Sequence, residues 1–470
     1  MYSINKMLVI VMYCLLSSNC YGQNPVLRSS RNLLDIRDGK DFKPNYWQID
    51  PKIKLDIYET YIKARELKNI SFISDVDSLT FSIGAGQIVE FSILLNGRDT
   101  AQTQIVGLTD IPGAMFDANY IRENDSKLSV EIPKVCELVS IVLAMTDIVA
   151  KEYGLVFKNT AYYHRVRSNL SQSSSNRIVG IADSLLSASR RDYFNLKMDA
   201  YAFEFNEAGK IVSSRIYDHA GWERRNRLLP YIDQLQTFAD STRFLDFYDS
   251  NNTYYDSLTR AYQEHVDLKQ IKNWLTSQFS QVRFNSYKII LSPLTGYAQC
   301  VNWLEDNNFK EIHTHVNFPY QEMADTMLNT SRSNKLRAAT TVFTELNHAF
   351  INPESEKESH AISIKKAFEN TTIWIEKNSP GARNMDAVSC FNEYMNWSLV
   401  TLWYLDNAPS EDFEPLVKYI EAKMSVRGFK KFRDFNRFLL NLYRNKSSNE
   451  TIPSLYPHII NWCLATASKN

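Results

Sequence analysis

Glycine and proline are scarce, with 14 of each in 470 residues, about half the joint share an average protein carries. That scarcity excludes collagen-like repeats, Gly-rich linker arrays and low-complexity disorder. Charge of one sign is not in excess either: 53 Lys and Arg stand against 53 Asp and Glu. The balance argues against a nucleic-acid binder, which needs a basic face. There are only six cysteines. Cys14 and Cys20 fall in an N-terminal leader, and Cys136, Cys300, Cys390 and Cys463 show no C-x-x-C spacing. A disulfide framework and a cysteine-based zinc site are therefore both unsupported, and the four read as small buried apolar side chains. Internal repeats, a G-x-S-x-G elbow, a P-loop and an EF-hand loop are all lacking. What the chain has instead is aromatic bulk, 25 Phe, 26 Tyr and 8 Trp. Such bulk favours a large packed core in which long helices predominate.

Residues 1–22 read as a secretory signal, with Lys6 in the charged region, Met7 to Leu16 as the apolar segment and Gly22 at the cleavage position. The apolar segment is too short to span a bilayer. Removing it takes away one Lys and leaves a formal charge of −1. The mature chain has no run of 18 uninterrupted apolar residues, so no transmembrane segment is expected there. The protein is expected to be exported, periplasmic or extracellular. Lipidation at Cys20 is the weaker alternative, because Asn19 stands where such signals prefer a small residue.

The expected fold class is α+β, mostly α: a small β module over residues 23–125, then a helix-rich domain over 126–470. Residues 23–55 read as polar and irregular, and Leu55 to Leu67 as a short helix. From Ser78 to Leu95 apolar residues alternate with small or polar ones, the half-buried strand pattern, with Gly84, Gly86 and Asn96-Gly97 as turns. Pro133 opens a helix with an apolar face built from Val135, Leu138, Val139, Val142, Met145 and Ile148. Further helices are expected over 230–238, 254–279, 335–350, 385–405 and 415–424. A hairpin is expected over 200–217, extended runs at 287–291 and 312–318, and a loop tip at Ser171 to Ser175.

One helix carries a chemical motif, Thr344-Glu345-Leu346-Asn347-His348. Zinc peptidases of the H-E-x-x-H type place two His at i and i+4 so that both reach one ion, while the Glu activates the bound water. Here Thr344 holds the first His position. Glu345 and His348 still share a face, and the helix is expected to stop at Asn352-Pro353. The helix that follows carries a lone Glu393 among Phe391, Tyr394, Met395 and Trp397. A carboxylate in such surroundings must be paired, solvated or bound to something. His313 and His315 alternate on an extended run and so share a face, which makes them candidates for completing a site near His348. The other histidines, including His360 in an acidic loop, have no partner pattern, and no Asp/Glu pair stands out as a glycosidase dyad.

Five stretches carry a resemblance: Ile132-Pro133-Lys134-Val135-Cys136-Glu137-Leu138; Ile141 to Thr146; Ser292-Pro293-Leu294; Phe343-Thr344-Glu345 with His348-Ala349-Phe350-Ile351-Asn352-Pro353; and Phe391-Asn392-Glu393-Tyr394-Met395 with Trp397. Over residues 130–410 the chain resembles a bacterial exported family of unknown function with gluzincin-like features, whose pattern is H-E-x-x-H-x-F-x-N-P followed by F-x-E-Y. The resemblance implies a zincin-like helical domain, Glu345 as general base, and His348 and Glu393 as zinc ligands. Thr344 departs from that pattern and leaves the zinc site one ligand short. The implied function is that of an altered metallopeptidase relative. The alternative is a non-enzymatic envelope protein that binds peptide or glycan.

Overall fold

The computed structural model describes residues 24–152, 154–170, 176–382 and 385–469. Residues 1–22, expected to be a secretory signal and including Cys20, and Ser171 to Ser175 lie outside the described residues. The protein is α+β and mostly α, and its contacts divide it into two compact units, one ending at Ile111 and one starting at Pro112. Among the described residues no helix is long and apolar enough to cross a membrane.

The first unit is all strand: β1 (Val26–Ser29), β2 (Leu33–Asp38), β3 (Asp41–Gln48), β4 (Asp56–Ile62), β5 (Leu67–Ile73), β6 (Ser78–Gly84), β7 (Ile88–Leu95) and β8 (Asp99–Thr109). They form two four-stranded sheets, ordered β1-β7-β8-β4 and β3-β2-β5-β6. Leu34, Ile36, Ile70, Phe72, Phe91 and Ile105 bury their side chains in one shared core. Asn96 and Gly97 both take positive φ (53° and 67°) and close the β7–β8 hairpin at Leu95 and Asp99, as an Asn-Gly turn requires. Two expectations are corrected here. Residues 23–55 are not irregular, because they supply β1 to β3. Leu55 to Leu67 is not a helix either: Tyr58, Thr60 and Ile62 are buried in alternation with their exposed or half-exposed neighbours, a period of two.

The second unit is helical around one mixed sheet. It also holds residues 112–125, counted with the β module in the sequence, where Phe116 packs on Tyr120 and Phe309. Six strands complete the set: β9 (Leu128–Glu131), β10 (Phe203–Phe205), β11 (Ile211–Ser213), β12 (Ser286–Ser292), β13 (Cys300–Asp306) and β14 (Phe309–Asn317). β10 and β11 are the expected hairpin. The other four are ordered β13-β14-β12-β9, with β9, β12 and β14 parallel and β13 antiparallel at the edge. The sequence did not reveal β13, which turns into β14 through Asn307 and Asn308, both at positive φ.

The helix opened by Pro133 runs Lys134–Met145 and is buried on all sides from Val135 onward, because it lies inside the unit rather than on its surface. The single helix expected over 254–279 is two, Asn252–His265 and Leu268–Gln278, with Asp267 capping the second through the Gln270 N–H. The motif helix runs Arg332–Ser355 and passes through Pro353 instead of stopping there. Pro353 lacks the N–H that would bond the Ala349 carbonyl and crowds that group, a cost that the buried packing of the helix offsets. Its neighbour, Ala387–Asn407, packs along it, and Phe343 stacks on Trp403 with ring centroids 4.8 Å apart. The next helix is Ser410–Val426.

Candidate functional site

The motif helix is fixed by aromatic contacts at both ends. Phe343 lies on Trp274 and Trp403, and Phe350 on Phe279 and Phe284. With those positions buried, Glu345 and His348 fall together on the side that meets the Ala387–Asn407 helix. Glu393 Oε1 lies 3.5 Å from His348 Nε2. Two residues separated by 45 positions are thus brought to contact distance, as the sequence required of a shared site.

The surrounding polar groups pin the imidazole. Asn352 Oδ1 lies 3.4 Å from His348 Nδ1. Asn396 Nδ2 lies 2.9 Å from His348 Nε2, and Asn396 Oδ1 accepts from Asn347 Nδ2 at 3.0 Å. Thr344 is buried and turns its hydroxyl to its own helix, donating to the Thr341 carbonyl at 2.8 Å. Protein zinc sites are built from Cys, His, Asp and Glu, so a threonine here does not replace the missing histidine.

Glu393 has a second partner that the sequence did not suggest. Arg427 Nη2 donates to its Oε2 at 2.7 Å. Arg427 caps the Ser410–Val426 helix, and its guanidinium lies over the rings of Trp397 and Phe429, each 5.2 Å from the centroid. The main chain around it is clamped: Gly381 N–H donates to the Arg427 carbonyl at 3.0 Å, and Glu376 N–H to that of Gly428 at 2.9 Å. Gly428 has φ of 93°, and a Cβ there would lie 2.3 Å from the Ser379 side chain, so only glycine fits this crossing. One signal for Arg427 was in the sequence, namely that a lone buried Glu393 needs a cation. Nothing local says which cation it takes.

The electrostatics follow from these pairs. Burial pushes the Glu393 carboxyl up, but Arg427 and His348 outweigh it and hold the pKa at about 2. Burial pulls His348 down, and the carboxylates of Glu393 and Glu345 outweigh that and raise it above its ordinary value. Glu345 is pushed up to about 7, first by burial and then by the charge of Glu393, against His348 and Arg427. Among the described residues its carboxyl has no hydrogen bond and no ion pair. The arrangement is therefore an internally neutralised His348–Glu393–Arg427 run with one bare carboxyl beside it. The side chains of His348 and Glu393 keep 21% and 16% of their exposure, so solvent reaches the site.

His313 and His315 do not join it. Strand alternation and the register of β12 with β14 put Lys288, Ile290, His313 and His315 on one face of the sheet. The motif helix lies on the other, where Phe350 meets Phe284 against Tyr287 and Trp303. His313 Nε2 bonds Glu311 Oε1 at 2.8 Å. His315 borders a cavity of about 10 Å³ together with Lys197, Ser292 and Thr295. His360 is not in a free loop: it sits on the helix Glu358–Ala367, 3.4 Å from Glu354. Among the described residues, no three His, Cys, Asp or Glu side chains are placed to share a metal ion. A catalytic zinc needs three protein ligands. His348 and Glu393 are two, and both Glu393 oxygens already have partners, so the residues present do not fit that ion.

The edge strand β13 borders the same unit. Trp222 Nε1 donates to the Val301 carbonyl at 2.9 Å, and Asn302 Nδ2 reaches the carbonyls of Ala220 and Gly221. The segment 220–222 thus takes part of this edge.

Fold and site together define an α+β protein, mostly helical, whose second unit holds a paired-helix polar centre. The chain belongs to the family described as Domain of unknown function (DUF4932), whose model matches residues 218–462. All the residues of the centre lie within that match. The stretches at 132–146, which carried part of the sequence resemblance, precede it. No curated protein and no solved structure matches the chain.

Proposed function

We propose that this protein is an exported, altered relative of the gluzincin-type metallopeptidases, periplasmic or extracellular, which keeps the peptidase helix pair and uses it to hold a peptide rather than to cut one. The observation that carries this reading is the pairing of His348 with Glu393 at 3.5 Å, beside a Glu345 that has no hydrogen-bond or ion-pair partner among the described residues. The first two stand in the positions of zinc ligands in the resembled pattern, and the third in that of the general base. The first ligand is Thr344, whose hydroxyl is taken up by its own helix, so the zinc set is incomplete. A half-buried carboxyl without a donor is costly unless something supplies one. The amide or amine N–H of a bound peptide is a donor of the right kind. Nothing at the site favours glycan over peptide.

Metal analysis of the purified protein tests the reading, with Glu345→Gln and His348→Ala beside it. The expected result is no stoichiometric zinc in any of the three, and binding of a mixed peptide library that Glu345→Gln weakens about tenfold, the worth of one charge-assisted hydrogen bond. About one zinc per chain in the unmodified protein, lost in His348→Ala, overturns the proposal in favour of a working metal site.

A further inference from the structure

We infer that Arg427 is the resident cation of this site: its guanidinium does for Glu393 what a metal ion does in a zinc peptidase, and its fixed charge opposes the entry of a metal. The inference rests on the proposed kinship with gluzincins and adds to it a reason why the zinc is lost.

Three contacts close the site, each to an atom that a metal would need. Glu393 Oε2 receives Arg427 Nη2 at 2.7 Å. Glu393 Oε1 faces His348 at 3.5 Å. His348 Nε2, the atom that would ligate, lies 2.9 Å from Asn396 Nδ2. Arg427 does not reach in as a mobile surface side chain. Its backbone is tied to Gly381, Gly428 passes Ser379 at a distance only glycine allows, and the guanidinium lies between Trp397 and Phe429. With Arg427 on Oε2, a divalent ion at Oε1 would face a fixed positive charge across the same carboxylate and could not bind it through both oxygens, so Arg427 opposes the metal without filling every lone pair. The change at Thr344 and the presence of Arg427 are then one event: a lost ligand, with a side-chain cation in place of the ion it would have held.

The test compares five full-length proteins: unmodified, Thr344→His, Arg427→Met, Thr344→His/Arg427→Met and Thr344→His/Arg427→Lys. Each is dialysed against ZnCl₂ and against CoCl₂, then read for metal content, cobalt visible absorption and Tm. Expected is about one zinc per chain for Thr344→His/Arg427→Met, with a tetrahedral cobalt spectrum and a Tm that rises on zinc addition. Thr344→His with Arg427 in place is expected to bind at least about tenfold more weakly, the size of effect seen when groups around a metal ligand change. The Lys variant, which keeps a positive charge, is expected to stay on the weak side. Equal zinc affinity with and without Arg427, or no zinc in the Met double variant at a Tm showing it folded, overturns the inference and leaves the proposed kinship standing. Should Arg427→Met fail to fold, zinc rescue of the double variant's Tm still supports the inference, and absence of rescue overturns it. Zinc already bound by the unmodified protein overturns the inference together with the proposed loss of zinc, and leaves the kinship itself standing.

Discussion

The second unit contains two clusters built from the same residue types, and they behave in opposite ways. In one, Glu393 meets His348 and Arg427 between two helices. In the other, Glu311 meets His313 and Lys288 on the sheet. Both glutamates have pKa values of about 2 despite burial, the first held down by Arg427 and His348, the second by His313, Lys288 and Tyr217. The sheet cluster is sealed, with His313 and Glu311 side chains at 1% and 0% exposure. Its carboxylate is well bonded too: Tyr120 and Tyr217 both donate to Glu311, the latter at 2.5 Å, while Tyr201 donates to Glu131 at 2.6 Å, although His313 Nδ1 has no hydrogen-bond partner among the described residues. The helix cluster is open to solvent and leaves Glu345 bare. A charged trio that is closed to solvent, with its carboxylate fully engaged, is a structural element. One that keeps solvent access and an unused acid is poised for a ligand.

The comparison can be broken most forcefully at Glu311. Replacing it by Gln strands Lys288 and His313 in the core, and should cost about 3–5 kcal/mol in denaturant unfolding, the toll of splitting a buried pair. A loss below about 1 kcal/mol would show that the sheet cluster is not a structural element at all. Glu345→Gln should act in the opposite direction. The folded state raises this carboxyl to about 7 from an ordinary 4.5, so between those values the folded protein binds more protons than the unfolded one and loses stability as pH rises. The substitution should then stabilise the protein at pH 8 by at most about 3 kcal/mol, less after solvent screening, and by little near pH 4. The smallest expected effect is at His348. Its folded pKa is raised, so its contribution is present below the unfolded value near 6.5 and fades as pH rises through the folded one. His348→Gln should cost about 1 kcal/mol at pH 5.5 and less at pH 9, and a cost that grows with pH would contradict the pairing with Glu393.

How much of this was legible in the sequence follows from how local each feature is. The alternation at residues 78–95 and the turn at Asn96-Gly97 declare themselves, because strand period and turn chemistry are read over a few neighbours. β4 was missed because Tyr, Glu and Thr at 58–60 suit either period in so short a window. Glu345 and His348 were visible as one helix face, and Glu393 as a carboxylate in need of a partner. Arg427 was not visible: it lies 34 residues further on, and only the crossing at Gly428 delivers it. His313 and His315 were rightly seen to share a face, but strand alternation cannot say which face of the sheet the motif helix will cover.

The register of the sheet has a consequence for synthesis. β9, near residue 130, finds its partner only at β12, near residue 288, and Tyr120 reaches Glu311 across 191 positions. As the chain emerges, the early helices of the second unit must wait unpaired for more than a hundred residues before their sheet exists, and Glu393 waits longer still for its cation. This unit, residues 112–470, can assemble only once most of its chain is available, and until then its apolar surfaces are most in need of protection.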